Sequence, residues 1–186
     1  MFKDFKVILD PGHGGSDWGL KTGEKYNQGY MGLLEKDINL EVANRVAWFC
    51  ANHGIGYILT RYGDRFIGLP DRIRVSNNSK AKLFISIHCN YALNEKVRGV
   101  ETWYFKNSNT GKNLAKKLQE KLLSLKYTID RKIQAGSFFV LRNSIMPAVL
   151  VELGFLQNKD DALFLADENN QNRVAYLVFE FIKENI

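Results

Sequence analysis

The chain is 186 residues long, and its content of 45% hydrophobic and 25% charged residues is that of an ordinary globular protein. No apolar run approaches the roughly 18 residues that a membrane-spanning helix needs, which argues against an integral membrane protein. The net charge of +6 is modest and the basic residues are spread along the chain, so nothing in the pattern indicates nucleic-acid binding.

Strand-like and helix-like segments alternate along the chain. Its length fits one domain, and such alternation is typical of a mostly parallel or mixed sheet with helices on both faces. We therefore expect residues 1–186 to form a single α/β domain. Strands are predicted at 5–10, 57–61, 83–88, 99–105, 138–141 and 147–153, and helices at 35–53, 69–80, 109–127, 160–166 and 170–183.

A long glycine-rich segment, residues 12–32, follows the first predicted strand and carries Trp18, Tyr26 and Tyr30. Loops of this length inside compact domains are usually either functional or disordered. We expect a functional loop here. Its aromatic side chains either line a substrate groove or simply pack against the domain.

Polar residues stand at the ends of three predicted strands. His13 follows a proline-glycine break after the first strand, His88 ends an apolar run, and Glu152 lies near the end of the strand at 147–153. If these strands are parallel, the three side chains reach the same edge of the sheet, where open α/β sheets bind ligands. A loop or core histidine would explain either histidine alone, but their joint position favours a common site.

Glu35 shares the apolar face of the helix predicted at 35–53, because Ile38 and Val42 follow it at helical spacing. A carboxylate on such a face is expensive unless it is paired or holds a metal, although acids also favour a helix N-terminus. Two histidines and one glutamate are a common ligand set for catalytic zinc. A second, unbound carboxylate nearby can transfer protons, so the pattern suggests a zinc hydrolase.

The two cysteines, Cys50 and Cys89, do not form a CxxC zinc motif. Cys50 is interpreted as a buried free thiol, and no feature supports a disulfide between the two. Cys89 is a rival nucleophile, but it would point to the opposite side of its strand from His88 and has no evident base.

The glycines Gly12, Gly14 and Gly15 lack the Lys-Ser/Thr pair of a phosphate-binding loop. We expect them instead to let the backbone pass close to a metal and substrate. The third histidine, His53, is interpreted as a C-terminal helix residue that meets the helix dipole.

Six blocks follow one another from about Val7 to the last predicted helix: VILDPGHGG, LLEKDINLEVA, ILTRYGDRF, FISIHCN, RGVETWYF and PAVLVELGFLQN. In this order they resemble the zinc-dependent N-acetylmuramoyl-L-alanine amidases of the amidase-3 group, which includes cell-division, sporulation and phage lytic enzymes. The resemblance implies a six-stranded sheet flanked by helices.

The resemblance also implies one zinc ion held by His13, Glu35 and His88, with Glu152 as the catalytic residue. Glu152 would take a proton from a zinc-activated water and pass it to the departing nitrogen. A backbone N–H near Gly154 is predicted to bind the oxyanion, and Asn90 is predicted either to bind the peptide or to hold the His88 loop. Cys89 departs from the family pattern, which has a small residue there, so we expect an effect on oxidation sensitivity or metal occupancy.

The reaction implied is hydrolysis of the amide between the lactyl group of N-acetylmuramic acid and L-alanine in peptidoglycan. Two other classes stay open. One is a zinc peptidase that cuts within the stem peptide. The other is a non-catalytic peptidoglycan-binding or regulatory homologue, whose sign would be a missing ligand or glutamate, and none is missing.

This substrate lies in the cell wall or periplasm, outside the cytoplasmic membrane. Residues 1–6 contain no apolar core or cleavage site, so we expect no signal peptide in this chain. Either a signal has been trimmed, or the enzyme is released by another route, as phage endolysins are. Targeting then depends on this domain, an activator protein or a separate wall-binding module.

Overall fold

A six-stranded sheet forms the centre of the computed structural model, which describes residues 5–19 and 29–186. In chain order the strands are β1 (Phe5–Pro11), β2 (Gly56–Leu59), β3 (Leu83–Asn90), β4 (Val100–Phe105), β5 (Asp130–Gly136) and β6 (Ala148–Phe155). They lie in the order β2-β1-β3-β6-β4-β5. The first four in this order are parallel, β4 is antiparallel to β6, and β5 is parallel to β4. The expected mixed, mostly parallel sheet is confirmed.

Helices cover both faces of this sheet. Those in the described ranges are α1 (Glu35–Asn52), α2 (Leu69–Asn78), α3 (Asn109–Leu123), α4 (Phe139–Asn143), α5 (Lys159–Ala166) and α6 (Glu168–Asn185), with a 3₁₀ turn at Tyr30–Gly32. The helices α1, α3, α5 and α6 share one hydrophobic core, whereas α2 and α4 share a second, smaller one. None of these helices combines the length and the apolar character needed to cross a membrane.

Side chains alternate between these two cores along each strand, as the pleat requires. Leu9 lies in the larger core and Ile8 in the smaller one. Cys89 is buried in the larger core, on the opposite side of β3 from its neighbour His88, as expected. Cys50 is also buried and both thiols are free, so no disulfide joins them.

The prediction is wrong for the segment that follows α3. Residues 138–141 are predicted as a strand, but residues 139–141 belong to α4 and residue 138 caps that helix. The strand β5 is not recognisable in the sequence pattern. A short apolar run cannot be assigned to strand or helix by periodicity alone. The strand β5 lies at the sheet edge and begins with charged residues, so it lacks the apolar pattern of the inner strands. The helix predicted at 109–127 is also shorter and ends at Leu123.

A buried polar cluster lies near the carboxyl end of β1. Asp10 is 1% exposed and accepts hydrogen bonds from Thr60 (2.6 Å), Ser86 (2.7 Å) and the guanidinium group of Arg72 (2.8 Å). Burial alone would raise the pKa of Asp10, but the Arg72 charge and these hydrogen bonds hold it below its ordinary value. The ionised carboxylate therefore stabilises the fold.

We predict that Asp10→Asn lowers the free energy of unfolding by about 3–5 kcal/mol at pH 7, because it leaves the buried Arg72 charge without a partner. Since folding lowers the pKa of Asp10, its contribution is full above about pH 4 and is lost as the pH falls through the lower folded-state pKa. The difference between the proteins should therefore shrink below about pH 4.

Denaturant unfolding of the wild type and of Asp10→Asn, at pH 7 and below about pH 4, measures the difference in their free energies of unfolding. Asp71→Asn is the control, because Asp71 pairs with Arg74 at the exposed surface. Asp71→Asn should lower the free energy of unfolding by only about 0–1 kcal/mol. Equal stability of wild type and Asp10→Asn at pH 7 would contradict the prediction.

Candidate metal centre and active site

The predicted site residues converge at one edge of the sheet. Because β1, β3 and β6 are adjacent and parallel, their carboxyl ends meet there, and His88 lies directly beside Glu152 in the strand register. Glu101 of the antiparallel strand β4 lies on the other side of Glu152. His88, Glu152 and Glu101 thus form a row across three strands on one face.

Three nitrogen and oxygen donors surround a common point. The Oε1 atom of Glu35 lies 3.2 Å from Nε2 of His13 and 3.0 Å from Nδ1 of His88. One donor atom from each of the three residues lies within 4.8 Å of the others. Ligands about 2.0–2.1 Å from a tetrahedral zinc ion are separated by about 3.3 Å, so two imidazoles and a carboxylate in this arrangement suit a divalent metal such as zinc.

Glu35 is 3% exposed at the start of α1. Its Oε1 atom also accepts hydrogen bonds from the backbone N–H of Cys89 (3.1 Å) and from Asn39 (3.3 Å), one helical turn further on. Burial would raise the pKa of Glu35, but hydrogen bonds and charges from His13 and His88 lower it to about 2. Glu35 is therefore a fixed anion, not an ordinary acid of a first helical turn.

The His13 imidazole is oriented by Asp17. Its Nδ1 atom lies 2.9 Å from Oδ2 of Asp17, which leaves Nε2 directed at Glu35. Burial lowers the pKa of His13, but hydrogen bonds and charges from Glu35 and Asp17 outweigh it and raise the pKa. A carboxylate on the remote ring nitrogen is a common support for a metal-binding histidine.

Gly12 lies directly against one of the donor side chains. A Cβ atom at this position would lie 2.2 Å from Cε1 of His88, so only glycine lets β1 pass the ring. Gly14 and Gly15 pack elsewhere: their Cβ positions fall 2.3 Å from the Arg65 carbonyl oxygen and 2.6 Å from the Phe66 nitrogen. Of these three glycines, Gly12 alone approaches a donor residue. A fourth, Gly19, also does, since its Cβ position falls 2.3 Å from Oε2 of Glu35.

Glu152 differs from Glu35 in having no fixed partner. Its Oε2 atom is buried and has no hydrogen-bond partner among the described residues. Burial and the negative charges of Glu35 and Glu101 raise the pKa of Glu152 well above its ordinary value. An unpartnered carboxyl beside the donor cluster is suited to bind or exchange a proton.

Glu101 is tied into a network of its own. It is 5% exposed and accepts hydrogen bonds from Asn90 (2.8 Å), Trp103 (3.1 Å) and Arg131 (2.9 Å). The Asn90 amide oxygen also accepts the N–H of Tyr91 (2.8 Å). These contacts support the alternative in which Asn90 holds the segment after His88.

A cavity of about 720 Å³ opens above the donors. Its floor includes His13, Glu35, His88 and Glu152, and its walls are largely apolar, with Phe66, Leu69, Trp103, Phe138 and Phe139 among them. His13 and His88 keep side-chain exposures of 22% and 18%, so a ligand can reach them.

Of the remaining predicted residues that the structure describes, Cys89 lines this cavity and the others do not. Of the described residues, Gly154 packs against Asp161, with its Cβ position 3.1 Å from that carboxylate, and does not line the cavity. Trp18 and Tyr30 do not line it either, and Tyr26 lies outside the described residues. Burial and nearby carboxylates, Glu35 first, raise the pKa of Cys89, which disfavours a reactive thiolate. The exposed His53 bonds the Phe49 carbonyl at the end of α1.

Sequence reasoning missed Asp17, Asn39 and Glu101, all of which contact this site or its immediate support. Asn39 carried a usable signal, because it follows Glu35 by four residues on the same helix face. Asp17 lies in an irregular loop, where no periodicity predicts which group it meets. Glu101 depended on the antiparallel placement of β4, which the alternation of elements does not reveal.

Comparison with known proteins places this chain in a family. Residues 7–184 match the family described as N-acetylmuramoyl-L-alanine amidase. The chain is 34% identical over 177 residues to the N-acetylmuramoyl-L-alanine amidase LytC of Bacillus subtilis, covering 94% of this chain and 34% of LytC.

Two solved structures extend the match to the whole fold. The amidase AmiC2 of Nostoc punctiforme is 34% identical, with a TM-score of 0.88 over 97% of this chain and 96% of that one. The CwlD amidase of Clostridioides difficile, solved in complex with the GerS lipoprotein, is 30% identical, with a TM-score of 0.87 over 98% of both chains.

We predict that His88→Ala weakens divalent-metal binding by more than the roughly 10- to 100-fold typical of losing an outer-shell partner. The reason is that it removes one of the three donors. Competition with a chromophoric chelator measures the affinity. His53→Ala is the matched control and should bind metal like the wild type, whereas unchanged affinity in His88→Ala would exclude His88 as a ligand.

Proposed function

This chain belongs to the amidase-3 family and is an N-acetylmuramoyl-L-alanine amidase that acts on peptidoglycan, and we propose that it works with one zinc ion held by His13, Glu35 and His88. The observation that carries the proposal is the buried His-Glu-His cluster beside an unpartnered carboxyl at the base of an open cavity.

The donor set supports zinc in particular. Two imidazole nitrogens and one carboxylate oxygen are typical ligands of catalytic zinc, and softer thiolates are not needed. When bound, such an ion supplies a Lewis acid for the substrate carbonyl and lowers the pKa of a water molecule toward neutrality.

Glu152 is proposed as the proton-transfer residue. Its Oε2 atom is free of competing hydrogen bonds within the described chain, so it can accept a proton from the attacking water and deliver it to the departing alanine nitrogen. Glu35 cannot share this role, since its carboxylate is committed to His13, His88 and the Cys89 N–H.

The family assignment favours the amidase over a peptidase of the stem peptide. The presence of all three donors and of Glu152 also argues against a non-catalytic homologue. The expected oxyanion donor, a backbone N–H near Gly154, followed from the chemistry of the tetrahedral intermediate, and the position of Gly154 outside the cavity lining does not favour that role.

The site of action is proposed to be the cell wall, because the substrate is located there. This chain corresponds to about a third of LytC, so wall attachment by a separate module is compatible with the comparison. The complex of CwlD with GerS provides a precedent for a protein partner in this family, and we propose that an activator or anchoring protein is a reasonable partner class here.

We predict that Glu152→Gln folds and retains zinc but loses roughly 10²- to 10⁴-fold in kcat, because the amide cannot exchange the proton. Zinc stoichiometry and the rate of release of soluble wall fragments are the two measurements. Glu120→Gln, on the exposed side of α3, is the control and should leave both unchanged. Undiminished lysis by Glu152→Gln would refute the assigned role.

A second prediction concerns the bond that is cut. Mass spectrometry of digested peptidoglycan should find intact stem peptides that begin with L-alanine, together with glycan strands that carry free lactyl carboxyl groups. Peptides that begin at a later residue of the stem would instead identify a peptidase.

A further inference from the structure

Two buried arginines hold the backbone that carries His13. Arg61 is 0% exposed and Arg72 is 3% exposed. Arg61 Nε donates to the Pro11 carbonyl (3.0 Å) and Arg61 Nη2 to the Gly12 carbonyl (2.9 Å). Arg72 donates to the carbonyls of Pro11 (2.7 Å) and His13 (2.7 Å). Three consecutive carbonyl groups thus point at guanidinium nitrogens.

These arginines are not explained by packing alone. A buried charge is costly unless it is paired and hydrogen-bonded. Arg72 has Asp10 as its carboxylate partner, whereas every hydrogen bond recorded for Arg61 goes to a backbone carbonyl: those of Pro11, Gly12, Gly63 and Lys36. Burial and the Arg72 charge lower the pKa of Arg61 to about 10, so it remains a cation at neutral pH.

The backbone that the arginines contact is irregular. His13 lies two residues beyond the end of β1 and has a φ of 60°, the left-handed region that a non-glycine residue rarely adopts. His88 lies within β3 and Glu35 within α1, so regular hydrogen bonding already fixes those two donors. His13 is the donor that needs other support.

Arg61 also connects two of the donors. Its Nη2 atom donates both to the Gly12 carbonyl, beside His13, and to the Lys36 carbonyl (2.7 Å), beside Glu35. One guanidinium nitrogen therefore ties the end of β1 to the first turn of α1. This contact spans the two segments that carry His13 and Glu35.

We propose that Arg61 and Arg72 are positioning residues of the metal centre, which hold the Pro11–His13 backbone so that the His13 imidazole meets Glu35 and His88. Neither arginine touches a donor atom, so each acts through the main chain. The inference rests on the proposed role of His13 as a zinc ligand.

Arg61→Lys and Arg72→Lys test the proposal, because each keeps the charge and removes the fork that reaches more than one carbonyl. We expect each to weaken zinc binding by about 10- to 100-fold, the usual effect of losing an outer-shell support. Chelator competition gives the dissociation constant. The visible spectrum of the cobalt-substituted protein should also change, because it reports the geometry of the donors.

Two controls separate positioning from stability. Thr60→Val removes a hydrogen bond to Asp10 within the same cluster but leaves the carbonyl contacts of both arginines. Arg45→Lys alters a half-buried arginine that bonds Gln171 and Asn172 between α1 and α6. We expect both control variants to keep the zinc affinity and the cobalt spectrum of the wild type. The one property they should change is stability, measured as a lower denaturant midpoint.

If Arg72→Lys does not fold, a double variant replaces it. Asp10→Asn/Arg72→Gln removes Arg72 without leaving an unpaired carboxylate, and its zinc affinity is compared with that of Asp10→Asn. Wild-type zinc affinity in the folded arginine variants would overturn the positioning role, even if their stability falls. If His13→Ala binds zinc as tightly as the wild type, the proposed ligand set itself fails, so the two failures are distinguishable.

Discussion

The site depends on one buried oxygen atom. Oε1 of Glu35 is contacted by His13, His88, the Cys89 N–H and Asn39, which belong to the end of β1, to β3 and to α1. A carboxylate excluded from water is stable only where such donors surround it. The segments can supply them only if they meet at the correct distances, so the charge of Glu35 and the arrangement of the sheet edge require each other.

Much of this edge is predictable from sequence because parallel strands place their carboxyl ends together. His13, His88 and Glu152 each end or nearly end an apolar run, and β1, β3 and β6 are indeed neighbours. Glu35 is recognisable because helical spacing puts it on the apolar face of α1. The inner strands and the long helices follow from the same periodicities, with differences of a few residues at their ends.

The contacts that could not be predicted involve residues that follow no regular spacing in the sequence. In the sequence, Arg61 ends a predicted strand and Arg72 belongs to a polar predicted helix, and no spacing marks either as buried. In the structure both are buried against the carbonyls of Pro11, Gly12 and His13. Asp17 reaches His13 through a loop of irregular conformation. The charged edge strand β5 and the one-turn helix α4 gave misleading local patterns, since tertiary packing decides such short segments.

The two faces of the sheet contribute differently to stability and to the active site. One face of the sheet is covered by α1, α3 and α6, of 18, 15 and 18 residues, whereas the other carries α2 and α4, of only 10 and 5 residues. Burial on the first face supplies most of the apolar core. Phe138 and Phe139, at the start of α4, form part of the wall of the cavity that Glu101 and Glu152 also line. The face that bears the smaller core therefore also carries His88 and Glu152, whereas the other face supplies most of the buried apolar surface.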